Sequence, residues 1–400
     1  KASIILFSSN PSSAGPGRPI TQVPCEAGTS IDRRHVLLAG AAFSSLAQPQ
    51  PLSAVMLAAI HGLSLDTLLQ SSSIYAIRVD STTRAAPSAT RLSASKLLRA
   101  LESKRAIFLG EHHPDSRDHL LQAALLRRLH AIRKPLAVGL EAVQQQFQPV
   151  LDDYLAMRMD EEELFAGTDW ERRWYWPFEG YASIFRACRE LGVKLVALDM
   201  NSEDKAKVEL GGLASLDSAK LLQYIPDQDG FERFGSTDAF SEYVSYTIRP
   251  PYTLMKRLGQ KMTASTDVER TMTFTNFLAR QCLRDEAMAS ASASWLDQNP
   301  DGLLVGLMGV NHVKFACGVP ARTARMLPGG LGAVTSILLN PTPANTFVDP
   351  LNLRVCDRTV VADEVCVRND IEVQNYVLQR RYGTRSVLAL SDYMIFSPIP

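Results

Sequence analysis

Glu111 and His113 stand two residues apart at the end of the apolar run Ala106-Ile107-Phe108-Leu109-Gly110. In an extended chain that spacing turns both side chains to one side and His112 to the other. Three more apolar runs end on ionisable residues: Leu136 to Leu140 on Glu141, Val193 to Leu198 on Asp199, and Leu303 to Val310 on Asn311-His312. Imidazoles beside carboxylates suit general acid–base work, in which the base operates best with a pKa near the working pH. A carboxylate at the end of a buried strand must be paired or sit in a solvated cleft, because burying it alone is costly. For an isolated Glu-x-His the plain alternative is a surface turn, and the apolar strand and glycine ahead of this one argue for a site instead.

The runs themselves supply the positioning. Short continuous apolar stretches alternating with helical patterns predict buried parallel strands. Ligands of open α/β sheets gather outside the carboxyl ends of such strands. The predicted fold is therefore α/β, a mainly parallel central sheet with helices on both faces. Glu111, His113, Glu141 and His312 then converge on one crevice at the strand ends, with Asp199 nearby.

Two further segments offer partners for that crevice. The helical stretch 281–289 carries Arg284 and Asp285, which either orient the carboxylates or form a solvated face. Trp170, Trp174, Tyr175, Trp176, Phe178 and Tyr181 gather three of the four tryptophans into one run. Such a cluster serves as core or as a flat wall for a planar ligand.

The rest of the pattern orders the elements. Strands are predicted over 74–79, 106–110, 136–141, 193–198 and 303–310, and helices over 93–102, 115–132, 144–157, 181–191 and 268–296. Strand, helix, strand in this order is what right-handed parallel crossovers produce. Residues 202–265 mix short helical patterns with Gly211-Gly212, Asp227-Gln228-Asp229-Gly230 and Pro250-Pro251, which suits a lid or insertion beside the site. Residues 61–330 form the predicted α/β domain. Residues 331–400 read as a peripheral appendage outside the catalytic layer.

Lys and Arg total 42, as do Asp and Glu, for a net charge of zero. No basic excess recommends a nucleic-acid partner. The six cysteines form no CxxC pair, which removes zinc-ribbon and thioredoxin-type readings. Cys356 and Cys366 are candidates for a disulfide in an oxidising compartment. Residues 1–32 are rich in Ser, Pro and Gly with a single Glu before Asp32, the composition of an organelle transit peptide. Arg33-Arg34 ahead of a mildly apolar stretch resembles a twin-arginine export signal. Together they make residues 1–60 an address for the chloroplast and its thylakoid lumen. Gln48, Gln50 and two prolines interrupt the stretch, a poor candidate for a membrane span of roughly 20 apolar residues.

The motifs as a set resemble the ChaN-like haem-binding uptake proteins of the wider Tiki, TraB and erythromycin-esterase-like superfamily, over about residues 74–326. The resemblance rests on Leu109-Gly110-Glu111-His112-His113, Gly139-Leu140-Glu141, Arg284-Asp285-Glu286-Ala287-Met288-Ala289, and Gly309-Val310-Asn311-His312 followed by Gly318-Val319-Pro320. It implies haem or another tetrapyrrole as cofactor and partner, a link to iron handling, and a tyrosine among the haem ligands. Tyr175 and Tyr181 are the nearest candidates, with Arg284 and Asp285 beside them. From the esterase-like relatives it implies a hydrolase in which His113 is the general base, with Glu111, Glu141 and His312 orienting or stabilising charge. A divalent metal held by His113, Glu141 and His312 would suit zinc. A homodimer is compatible with either reading, and an inherited but inactive site is the third.

Overall fold

Ala106, Ile107, Phe108 and Leu109 are fully buried, and their alternation decides the layering. Ile107 and Leu109 join one hydrophobic core, while Ala106 and Phe108 join the other. A strand whose successive side chains both find apolar partners must be covered on both faces. In the computed structural model, which describes residues 65–78, 88–113, 115–132, 135–261, 271–341, 377–379 and 387–398, both covers are helical.

The central sheet contains β1 (Ser73–Arg78), β2 (Ser88–Leu92), β3 (Ala106–Glu111), β4 (Leu136–Gln144), β5 (Lys194–Asp199), β6 (Leu303–Gly309), β7 (Val334–Leu339) and β10 (Tyr393–Phe396), in the order β2-β1-β10-β7-β3-β6-β4-β5. The six strands from β10 to β5 run parallel, and β1 pairs antiparallel with β10 and β2. A hairpin of β8 (Val377–Gln379) and β9 (Val387–Ala389) stands apart from the sheet. This is the α/β architecture that the sequence pattern implies.

On one face, α1 (Ser116–Ile132) and α2 (Phe178–Leu191) bury Leu121, Leu125, Leu129, Ile184 and Phe185 against Val138, Leu195 and Leu307. On the other, α3 (Phe274–Gln298) and α4 (Val319–Met326) pack over Phe108, Leu198 and Met308. The register then aligns the chemistry. Glu111 pairs with Gly309 across β3 and β6, and Leu140, just before Glu141, pairs with Leu307 across β4 and β6. Four strand ends thus open on the same edge of the sheet.

Residues 202–261 fold as short helices around a π-helical turn, Val244–Ile248. Val208, Tyr224, Phe231, Phe240 and Tyr243 from this segment lie in the same core as α3. The expected insertion beside the site is therefore a cap anchored by aromatic side chains.

The tail requires a correction. Residues 331–400 were expected outside the main layer, yet β7 and β10 are both strands of the central sheet. β10 lies between β1 and β7, with Met394 and Ile395 fully buried. A four-residue strand carries too little periodicity to be recognised beside prolines and turns. The expected address over residues 1–60 and the Cys356–Cys366 pair lie outside the described residues; among the described residues Cys188, Cys282 and Cys317 are buried free thiols.

Candidate functional site

Glu111, the last residue of β3, is buried and fully engaged. Its Oε1 lies 2.9 Å from His113 Nδ1 and accepts from the Tyr181 hydroxyl at 2.8 Å, while Gln122 Nε2 donates to Oε2 at 2.5 Å. His119 Nε2 stands 3.5 Å from the same Oε1. Burial favours the neutral acid, but the His119 and His113 imidazoles outweigh it and hold the Glu111 carboxyl well below its ordinary range. The Glu111 carboxylate at Nδ1 orients the His113 ring so that Nε2 is turned towards Gly309.

A second cluster stands beside the first. Arg284 from α3 donates through Nε and Nη2 to the two Asp199 oxygens at 2.9 and 2.7 Å, and through Nη2 to Glu141 Oε1 at 2.9 Å. The next residue, Asp285, turns to His312 instead, with Oδ1 at 2.5 Å from Nδ1. His312 Nε2 lies 3.2 Å from Glu141 Oε1. Burial opposes its charging, but Glu141 and Asp285 prevail and raise its pKa to about 10, so His312 is a cation at neutral pH. For Glu141, burial is likewise outweighed by His312 and Arg284, and its carboxyl is held well below its ordinary value.

Gly309 joins the two clusters. Its N–H donates to Glu141 Oε2 at 2.6 Å, and a Cβ placed on it would lie 2.6 Å from His113 Nε2. A side chain at this position would block the approach of the imidazole. Gly318 does a similar service behind His312, where a Cβ would meet the His312 carbonyl oxygen at 2.1 Å. The loop between them closes through left-handed residues Phe315 and Ala316.

The aromatic run divides by function of position. Trp170 and Phe178 are buried, and Trp170 Nε1 donates to the Trp176 carbonyl at 2.9 Å, pinning the loop. Trp174 meets the His113 ring edge-on at 5.0 Å, and Trp176 stacks on it at 5.7 Å. Tyr175, 40% exposed, lies edge-on to Trp176 at 4.8 Å. The run is thus core at its ends and a half-open wall in its middle.

The structure brings together Glu111, His113, Glu141, Asp199, Arg284, Asp285 and His312, all of them expected from sequence. His112 turns away and pairs with Asp118 through Nδ1 at 2.9 Å. Two expectations change. Tyr181 is 2% exposed and commits its hydroxyl to Glu111. Burial and that carboxylate push its pKa well above the ordinary tyrosine value, which disfavours it as an iron ligand. The zinc set also changes, because no group of three His, Cys, Asp or Glu among the described residues is arranged to hold a metal ion. Both His312 nitrogens face carboxylates, and Glu141 is already matched by Arg284. Gln122 and His119 were missed. On α1, His119 directly follows the unremarkable Ser116-Arg117-Asp118 opening and Gln122 stands three residues further on, and only that helical spacing from each other could have put them on one face.

A family profile described as "Haem-binding uptake, Tiki superfamily, ChaN" matches residues 97–323, more than half of the chain. The chain belongs to this ChaN family. Among curated proteins it is similar to Protein RETICULATA-RELATED 5, chloroplastic, of Arabidopsis thaliana, at 26% identity over 270 residues, 64% of this chain and 34% of that protein. The chain thus spans about a third of this relative's length. Among solved structures it is similar to ChaN of Campylobacter jejuni, described by cofacial haem binding (14% identity, TM-score 0.47, 81% of this chain and 97% of that one). It is also similar to the erythromycin esterase EreC in an open conformation (14% identity, TM-score 0.38, 76% of this chain and 93% of that one). Among the described residues no helix is long and apolar enough to cross a membrane.

Proposed function

We propose that this ChaN-family chain binds haem or a related tetrapyrrole at the aromatic rim of the strand-end site, with Tyr175 as the iron ligand. The observation that carries the reading is the exposure of Tyr175, since every other tyrosine with described burial is buried or half-buried. A phenol open to solvent, edge-on to one indole and next in sequence to another, suits a planar macrocycle and its metal. The donor set fits the group: Trp174 and Trp176 supply the wall and Tyr175 the oxygen. Bound haem would supply an iron centre whose reactivity follows from that ligand and its surroundings. A tyrosine ligand with little burial suits storage or transfer of haem. The chloroplast name of the Arabidopsis relative and the address-like composition of residues 1–60 support a plastid setting, with the thylakoid lumen as the finer location and haem or iron handling as the role.

Haemin titration of the full chain is expected to give a saturable Soret change, and Tyr175→Phe to weaken it at least tenfold. Equal titration curves for both proteins would reject Tyr175 as the ligand.

A second reading, a hydrolase, draws on a different observation. His113 Nε2 lies against Gly309 beside Glu141, and Arg284 and His312 place positive charge next to it. An oriented base next to fixed cations can activate water and stabilise a developing oxyanion. Hydrolysis of p-nitrophenyl acetate above background, lost in His113→Ala and kept in Tyr175→Phe, is its signature.

A further inference from the structure

Behind the Arg284–His312 cluster, and away from the aromatic rim, lies a cavity of ≈ 280 Å³. One wall is Arg284, Asp285 and His312; the opposite wall is the π-helical turn and the helix after it, through Thr247, Ile248, Pro251 and Met255. The charged groups of the wall are matched within the protein. Arg280 pairs with Glu209 at 2.8 Å, Arg284 with Asp199 and Glu141, and His312 with Asp285 and Glu141. What is unmatched is uncharged or directional. Thr247 Oγ1, Asn311 Oδ1 and Arg280 Nε are buried with no hydrogen-bond partner. Thr247 itself is 4% exposed.

A buried hydroxyl, amide oxygen and N–H left unpaired around one cavity each forfeit the hydrogen bond they had in water. Native interiors seldom leave such groups unmatched, and three around a single space point to a ligand or to water that matches them. Pro251, Met255 and Phe277 give the space an apolar flank, which water does not reward. The π-helical turn presents Thr247 here, and such turns recur at functional sites.

We infer that this cavity is a second binding site, distinct from the haem rim, for a small uncharged molecule that carries a hydroxyl or vicinal diol on an apolar chain. The hydroxyl donates to Asn311 Oδ1 and accepts from Arg280 Nε or Thr247, and the chain lies along Met255 and Phe277. A charged ligand would find no free counter-charge on the wall.

The test uses full-length protein, with and without haemin, labelled with ¹³C at the methionine methyls; Met255→Leu assigns the reporter signal. The probes are hexane-1,2-diol, sodium hexanoate and hexylamine hydrochloride. The diol is expected to shift the Met255 methyl saturably, haemin or not, and the two charged probes to bind at least tenfold more weakly. Thr247→Val keeps the branched shape and removes the unpaired hydroxyl, so it should weaken the diol about five- to tenfold without lowering the unfolding midpoint. Gln281→Trp, which fills the space from the cavity lining and leaves the Met255 reporter in place, should abolish the shift. A linear, non-saturating response means water and adventitious additive only and overturns the inference. So does hexanoate binding as tightly as the diol, or diol binding unchanged in both variants. Since each arm is read without haem, failure here leaves the haem reading untouched, and failure of haem titration leaves this one standing.

Discussion

At Gly309 the two halves of the site come within contact of each other. His113 Nε2 occupies the space a side chain would take, and Glu141 accepts from the Gly309 N–H. Gly309→Ala is expected to cost about 1–3 kcal/mol of stability through overpacking, read from denaturant midpoints. Gly332→Ala is the control, because nothing lies within 4 Å of a Cβ there. Equal midpoints for the two variants would mean that the imidazole does not rest on Gly309. Most of the acid–base residues were legible, because Glu111, Glu141, Asp199 and His312 each interrupt an apolar run at the same kind of place. His119 and Gln122 were not, since polar residues on an amphipathic helix look like a solvated face until the helix is docked. Tyr181 misled for a related reason: its place in an aromatic run says nothing about whether its hydroxyl is free or bound to a buried carboxylate.

At the scale of elements, the parallel strands β3 to β6 were readable from composition alone, and so were the helices between them, to within a few residues. β10 was not. It is four residues long, too short for a periodic pattern, and takes its meaning from β1 and β7, which are distant in sequence. Burial makes the point measurable. Ile395 is 0% exposed, and Ile395→Ala should destabilise the protein by about 2–4 kcal/mol. A peripheral appendage would give a change within about 0.5 kcal/mol, and that result in urea unfolding would contradict the placement of β10 in the sheet. The cap over residues 202–261 stood between these cases. Its helices were visible, but not the aromatic anchors that fix it over α3.

For the whole molecule, the buried charges tie stability to pH. The His312 pKa rises from 6.5 to about 10 on folding, so its contribution is complete below pH 6.5 and disappears as pH rises through about 10. Glu111 and Glu141 are depressed from 4.5. Their contribution is complete above that value and is lost as pH falls towards their folded pKa values. The part of the stability carried by His312 should therefore decline on the alkaline side while buried Lys314, its pKa lowered to about 7 by desolvation, works in the opposite sense, so His312→Gln should remove an alkaline loss from the wild-type profile. An unchanged alkaline profile in the variant would show that His312 is not the titrating cation. Net neutrality of the chain neither draws nor repels an anionic macrocycle, which leaves local contacts at the rim to decide haem binding. A crystal structure of the full chain soaked with haemin tests that most directly. One haem against Trp174 and Trp176 with iron bonded to Tyr175 Oη is expected; haem ligated elsewhere, or a bare aromatic rim at saturating haemin, would rule out binding at the rim.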